Sequence, residues 1–255
     1  MSQAPLASTV RRGTGQRANI PLVTLQEMKR AGRKIVGVVA WDYQIAQIAD
    51  RAGVDLVSVG DSVGVNLWGQ EPDEITLEEM LIVCKAVRRG VKRALVSFDL
   101  PFSNQGIDAA LRMKEIGADM VKLLASAEDV RATVRAGVTV FAEFHGGDGI
   151  PTDQLVRQAK QLEEAGASLL DFRHSGPAAG EAVMRAVRVP VIGGLGGGPW
   201  LDGRMRMAHA AIGYGFSSID SKTEQYANVA RVTLDGLTAY AEDVRAGRQI
   251  KGQRA

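Results

Sequence analysis

Two patterns of hydrophobic and polar positions alternate along the chain. Amphipathic, charged stretches end in Gly or Ala-Gly. Within two or three residues each gives way to a short apolar run, as in RAGVDLVSVG, RRGVKRALVSF, EIGADMVKLL, RAGVTVFAEF and EEAGASLLDF. The charged stretches have helical spacing: Leu77, Met80, Leu81, Cys84 and Val87 share one face, which reads as packing core. A glycine at the end of such a stretch caps a helix because it takes positive φ at little cost. The apolar runs are short and lack polar alternation, the mark of strands buried on both faces of a parallel sheet. Thr76 with Glu79, and Ser126 with Asp129, stand at the spacing of an N-cap and its third helical residue, which predicts helix starts at both places.

This reading predicts strands at Ile35–Ala40, Leu56–Gly60, Ala94–Phe98, Met120–Leu124, Thr139–Phe144, Ser168–Phe172 and Val189–Ile192, with a weaker eighth at Arg204–His209. Eight parallel strands alternating with helices close a (β/α)₈ TIM barrel of the α/β class. Periodicity does not distinguish closure from an open, doubly wound sheet, so that alternative stands beside it. Ser221–Ala246 predicts one or two helices, with apolar Val229, Val232, Leu237 and Tyr240, that cap or extend the barrel.

A length of 255 residues suits one such domain. We place an N-terminal extension at residues 1–23 and the barrel with its C-terminal helices at 24–255. Hydrophobic residues make up 45% and charged residues 24%, enough apolar material for a core. The net charge of +2 is spread among residues of both signs, which argues against a nucleic-acid partner. Cys84 is the sole cysteine, so neither an intramolecular disulfide nor a cysteine metal cluster can form, and a reducing cytoplasm fits. The first twenty residues lack an apolar signal core, and no eighteen apolar residues run together, so neither secretion nor a membrane span is expected.

In parallel α/β folds ligands bind at the carboxyl ends of the strands. The polar residues there are Asp61 and Ser62 after the second strand, Asp99 after the third, Lys122 in the fourth, Glu143 and His145 at the fifth, and Asp171, Arg173 and His174 at the sixth. Asp61 and Asp99 can converge on one hard cation, Mg²⁺ above all; alternatively each is a plain loop or helix cap. Lys122 lies in an apolar run, so its ammonium either reaches the barrel mouth or pairs with a carboxylate. Gly193–Gly198 either lets backbone amides approach an anion or is only a tight turn.

RKIVGVVAWDYQIAQIADRAGVDLVSVGDSVG, ITLEEMLIVCKAVRRGVKRALVSFDLPF and GADMVKL, followed by EEAGASLL, VPVIGGLGGGPWLDGRMRMAH and AYAEDVRAG, together resemble the ketopantoate (3-methyl-2-oxobutanoate) hydroxymethyltransferase family from about Thr24 onward. The resemblance implies a Mg²⁺-dependent TIM barrel, a small 2-oxoacid substrate, 5,10-methylenetetrahydrofolate as co-substrate and a homo-oligomer. It implies Asp61 and Asp99 as metal ligands that also contact the oxoacid, with Ser62 and Lys122 as further substrate contacts. A cation chelated by the acid's carboxylate and keto oxygens would stabilise the enolate left when the C3 proton departs.

The departures from the family pattern gather at the chemistry. Leu124 stands where the lysine motif usually continues to a glutamate, Ala142-Glu143 replaces a Gly-His pair, and Arg173 occupies the place of the general-base glutamate. The loop after the fifth strand is short, with a helix expected from about Thr152, and a usual Met-His-Asp reads Met207-Ala208-His209-Ala210. Arg173 cannot abstract a proton but can clamp a carboxylate or phosphate, which would suit a more anionic substrate. Glu143 then becomes a candidate base or a third metal-directed carboxylate, with His145 or His174 as proton shuttle; a salt bridge between Asp171 and His174 at the rim is the bland alternative. The expected chemistry is formation or cleavage of a carbon–carbon bond beside a 2-oxoacid through a metal-stabilised enolate. A mutase or lyase of the phosphoenolpyruvate mutase/isocitrate lyase type, and a non-catalytic paralogue, are the competing readings.

Overall fold

The structure, a computed structural model, describes residues 20–252 except 125, 195 and 196. Eight parallel strands form a closed barrel in chain order: β1 Ile35–Val39, β2 Leu56–Val59, β3 Leu95–Asp99, β4 Met120–Leu124, β5 Val140–His145, β6 Leu169–Arg173, β7 Val191–Gly193 and β8 Gly203–Met207. The pairing of β1 with β8 closes the sheet and removes the open-sheet alternative. The first nineteen positions of the expected N-terminal extension lie outside the described residues.

Several strands run one residue further toward their carboxyl ends than the apolar pattern suggests, taking in Asp99, His145 and Arg173. Apolar patterning stops at the first polar residue, whereas the backbone ladder continues wherever that side chain faces the barrel mouth. β7 is shifted to Val191–Gly193, and β8 ends at Met207, with His209 in the short helix α8 (Ala208–Ala211) rather than in a strand.

Between the strands lie α2 (Tyr43–Ala52), α3 (Leu77–Gly90), α4 (Ile107–Glu115), α5 (Ala127–Arg135), α6 (Thr152–Glu164) and α7 (Pro177–Ala186). Both predicted capping boxes form, at Thr76/Glu79 and Ser126/Asp129. Most of the helix-ending glycines take positive φ, but Gly90 is still helical: a Cβ there would come within 2.7 Å of the Tyr43 carbonyl oxygen, so it is small because α2 packs against it. Cys84 is buried on α3.

Two apolar layers hold the barrel. One lies between strands and helices, where Phe144 and Phe172 stack at 4.4 Å. The other fills the lower interior with Ile35, Leu56, Leu95, Met120, Phe141, Leu169, Ile192 and Met205, and α1 (Val23–Arg30) plugs its base with Leu25 and Met28. Burial of a side chain of this size contributes roughly 1.5–3 kcal/mol, so the lower barrel is a rigid support for the polar groups above it.

The C-terminal stretch takes the extending alternative rather than the capping one. It forms one helix, α9 (Val229–Arg245), in which only Ala230 is buried, so it neither caps nor covers the barrel. Leu234, Leu237, Tyr240 and Val244 are exposed, and Val36 on the outer side of β1 is bare beside β8. Among the described residues no helix is long and apolar enough to cross a membrane.

Candidate functional site

Side chains alternate across a strand, so the inward positions of β2 to β6 form rows up the barrel. The polar residues within the strands fall on that inward alternation: Ser58 on β2, Ser97 and Asp99 on β3, Lys122 on β4, Glu143 on β5 and Asp171 on β6. Asp99 is in register with Lys122, and Glu143 with Asp171. Asp99, Lys122, Glu143 and Asp171 form the floor of a cavity of about 370 Å³ at the carboxyl ends of the strands, lined also by Asp61, Ser62, Asn66 and Arg173. Leu124, Phe102 and Met207 supply its apolar wall.

Lys122 is the centre of this floor. Its Nζ lies 3.0 Å from Asp99 Oδ2, 2.8 Å from Glu143 Oε2 and 3.2 Å from Asp171 Oδ2. Lys122 thus both reaches the mouth and pairs with carboxylates. An ammonium has three protons, and three carboxylates take them. Burial works against its charge, but Asp99, Asp171 and Glu143 outweigh it and hold it firmly protonated.

Glu143 Oε1 accepts from Arg173 at 2.7 Å and contacts His145 Nε2 at 2.7 Å. Burial alone would raise its pKa, yet Lys122, His145 and Arg173 hold the carboxyl down to about 2. A group this acidic is an organiser of its neighbours and does not suit the role of base at neutral pH. A pH dependence follows. In the unfolded chain Glu143 titrates near 4.5, so its pairing stabilises the fold fully above that pH and is lost as pH falls toward 2. Glu143→Gln is expected to flatten the acid limb of stability over that interval, read by urea denaturation at stepped pH; an unchanged acid limb would show that the pairing carries no stability.

Asp61 and Asp99 behave oppositely. Burial pushes Asp99 up to about 7 against the pull of Lys122, with Asp61 and Glu143 adding repulsion. Burial likewise raises Asp61, partly countered by Lys122. Asp99 Oδ1 accepts from Ser58 Oγ at 3.2 Å and Oδ2 accepts from Lys122, which leaves acceptor capacity on each oxygen. Four carboxylates and four cations line this cavity, Lys122 and Arg173 within the barrel mouth and Arg204 and Arg206 on β8. Arg204 and Arg206 alternate with the inward Met205 and are exposed. Asp61 and Asp99, the two lining carboxylates whose proton affinity is raised, are the residues that could hold a divalent cation. Among the described residues no three His, Cys, Asp or Glu side chains gather as a metal cage; Mg²⁺ is an ion that one or two carboxylates hold together with water and substrate oxygens.

The other candidates fall into place around this core. Arg173 lines the cavity but shares its charge with Glu143, so it is no unneutralised clamp calling for an extra anionic group; burial opposes its charge and Glu143 restores it. Ser62 lies in the turn leading to a π-helical segment, Gly64–Trp68, and its Oγ contacts Met207 Sδ at 3.9 Å. His145 sits at the rim, 43% exposed, with its ring 6.3 Å from that of His174. His174 has φ 52, a left-handed conformation uncommon outside glycine, where the chain turns sharply after β6. Asp171 makes no rim bridge with His174: it is buried, paired with Lys122, and accepts from Gly194 N at 2.9 Å. That bond gives the glycine run a structural role, as does the contact of Gly193 with Gly197, where a Cβ would lie 2.7 Å from the Gly197 Cα. His209 meets the edge of Trp41, which in turn packs on Tyr214, away from the cavity lining. The buried Ser58 and Ser97 lie a layer below the strand ends, where the strand-end rule does not reach; the inward period-two spacing of Ser97 with Asp99 is the signal the sequence carries.

Comparison with known proteins agrees with this arrangement. The family model described as ketopantoate hydroxymethyltransferase matches residues 19–147 and 143–249. The chain is 33% identical over 244 residues to the 3-methyl-2-oxobutanoate hydroxymethyltransferase of Geobacillus kaustophilus, covering 86% of this chain and 87% of that protein. It is 31% identical over 252 residues to the enzyme of the same name from Thermoanaerobacter sp., covering 89% and 92%. Among solved structures, 2,3-dimethylmalate lyase, a PEP mutase/isocitrate lyase superfamily member, superposes with a TM-score of 0.62 at 13% identity, over 91% of this chain and 89% of that one, a likeness of fold. With the sequence matched almost from end to end and the polar groups gathered at the carboxyl mouth of a closed barrel, the chain belongs to the ketopantoate hydroxymethyltransferase family.

Proposed function

We propose that this protein forms or breaks a carbon–carbon bond beside the keto group of a 2-oxoacid, by hydroxymethyl transfer or the closely related aldol chemistry, with Mg²⁺ as cofactor. The observation that carries the reading is the placement of Asp61 and Asp99, both with raised proton affinity, on one cavity at the carboxyl mouth of the barrel. Asp61 and Asp99 would hold the cation, which when bound supplies Lewis-acid polarisation of the keto oxygen. Ser62 and the N–H groups of Arg173 not engaged by Glu143 orient the acid's carboxylate. Lys122 keeps Asp99, Glu143 and Asp171 together and adds positive potential beneath the developing enolate. Glu143, being ionised, can only accept, so His145 donates through Nε2, and from the rim its Nδ1 can shuttle the departing C3 proton to solvent. Leu124 and Phe102 pack the apolar part of the acid. The one-carbon donor we assign is 5,10-methylenetetrahydrofolate, and the location a reducing cytoplasm, in keeping with the lone buried Cys84.

The test is solvent-deuterium exchange at C3 of 3-methyl-2-oxobutanoate and a panel of other 2-oxoacids, followed by NMR with and without Mg²⁺. Metal-dependent exchange is expected; its absence with every acid would end this reading.

We also propose a homo-oligomer, supported by the exposed apolar side of α9 and the bare β1 wall. Leu237→Glu, placed in the middle of that helix, is expected to lower the mass measured by analytical ultracentrifugation without unfolding the barrel. An unchanged mass would remove α9 from the interface.

A further inference from the structure

The layer directly beneath the carboxylates contains two serines, where the layer below is apolar throughout. Ser58 on β2 and Ser97 on β3 are fully buried and stand opposite each other in register. Ser97 Oγ donates to Ser58 Oγ at 2.8 Å, and Ser58 Oγ donates to Asp99 Oδ1 at 3.2 Å. Ser58 thus spends its one proton on Asp99 Oδ1 and accepts from Ser97 through a lone pair. Barrel interiors are ordinarily filled by branched apolar side chains, and a buried hydroxyl without a partner costs about 1–3 kcal/mol. Space-filling therefore does not explain the pair. Neither serine lines the cavity, so neither is placed to touch a substrate.

What the pair does reach is Asp99. With Lys122 on Oδ2 and Ser58 on Oδ1, both oxygens of that carboxylate are tied to groups fixed in strands, and rotation of the carboxylate is arrested. We propose that Ser58 and Ser97 form a hydroxyl relay that positions Asp99 for the divalent cation. They are positioning residues acting through Asp99; the proposal rests on the reading that Asp61 and Asp99 hold Mg²⁺. Partners of this outer kind typically alter metal affinity by about 10–100-fold. The relay has a polarity: Ser58 touches the carboxylate, while Ser97 acts only through Ser58.

The experiment measures Mg²⁺ binding to the full chain by titration calorimetry in the presence of oxalate, a planar analogue of a 2-oxoacid enolate, alongside denaturant unfolding without metal. Ser58→Ala is expected to weaken Mg²⁺ binding by about 10–100-fold and Ser97→Ala by less. The double variant Ser58→Ala/Ser97→Ala separates positioning from packing. Removing both partners leaves no orphaned hydroxyl, so folding stability should recover relative to Ser58→Ala, while Mg²⁺ affinity stays as weak as in Ser58→Ala. Wild-type affinity in Ser58→Ala, or affinity that returns together with stability in the double variant, would overturn the relay. Failure of the wild-type chain to bind Mg²⁺ with oxalate would remove the metal reading and the relay with it.

Discussion

Lys122→Met is expected to destabilise the fold by about 3–5 kcal/mol, because it removes the one partner shared by three largely buried carboxylates. Methionine matches the length and much of the volume of lysine, so the loss is one of charge rather than packing. In the wild type Asp99, Glu143 and Asp171 each lie within 3.2 Å of the ammonium. Without it, carboxylates brought together by strand register repel one another, and of the remaining cations only Arg173 reaches the group, through Glu143. Thermal unfolding should shift down by roughly 6–20 °C at this chain length. Part of the loss should return with millimolar Mg²⁺, since a cation at Asp61 and Asp99 restores positive charge beside the orphaned groups. A variant as stable as wild type near neutral pH would mean that the carboxylates there are largely protonated and that Lys122 does not organise the floor.

Asp99→Ala should abolish metal-dependent C3 exchange, with a rate loss of roughly a thousandfold or more if the cation contributes several kcal/mol to enolate stabilisation. Asp99 is the stronger choice than Asp61 for this test because it connects three parts of the site: the proposed cation, Lys122 and the buried serines. The stability consequence has the opposite sign to that of Lys122→Met. Asp99 binds its proton more tightly folded, at about 7, than unfolded, near 3.8, so it opposes folding increasingly as pH rises through that interval. Asp99→Ala is therefore expected to lose exchange while unfolding in urea at a concentration no lower than wild type near pH 7. Retained Mg²⁺-dependent exchange would remove Asp99 from the chemistry; loss of exchange accompanied by a collapse in stability would make the effect structural.

Comparison of these variants with Glu143→Gln distinguishes two kinds of carboxylate on one floor. Glu143 is drawn down by donors on three sides, whereas Asp99, one strand-pair away, is driven up by burial and by like charges. Lys122 touches both, so the difference lies in the rest of each environment: Arg173 and His145 beside Glu143, Asp61 beside Asp99. The contrast favours the cation at Asp99 and a purely organising part for Glu143.

Much of the architecture was legible in the chain. Glycine-terminated amphipathic stretches alternating with short apolar runs specify parallel β/α units, because helix caps, periodicity and strand burial are local properties of sequence. Thr76/Glu79 and Ser126/Asp129 mark their helix starts for the same reason. Asp61, Ser62, Asp99, Lys122, Glu143, His145 and Arg173 were also readable as strand-end residues, since the carboxyl ends of parallel strands are where such folds bind ligands. What each of those residues does was decided in three dimensions. Register places Asp99 beside Lys122 and Glu143 beside Asp171, and closure of the barrel aims them at one another. Only then does Lys122 acquire three partners, the Glu143 carboxyl fall below its ordinary range, and Arg173 share its charge with Glu143. The pattern of the chain determined which residues face the mouth, whereas their charge states depend on distances between residues tens of positions apart, because electrostatic coupling and desolvation are set by the assembled environment rather than by neighbours in sequence.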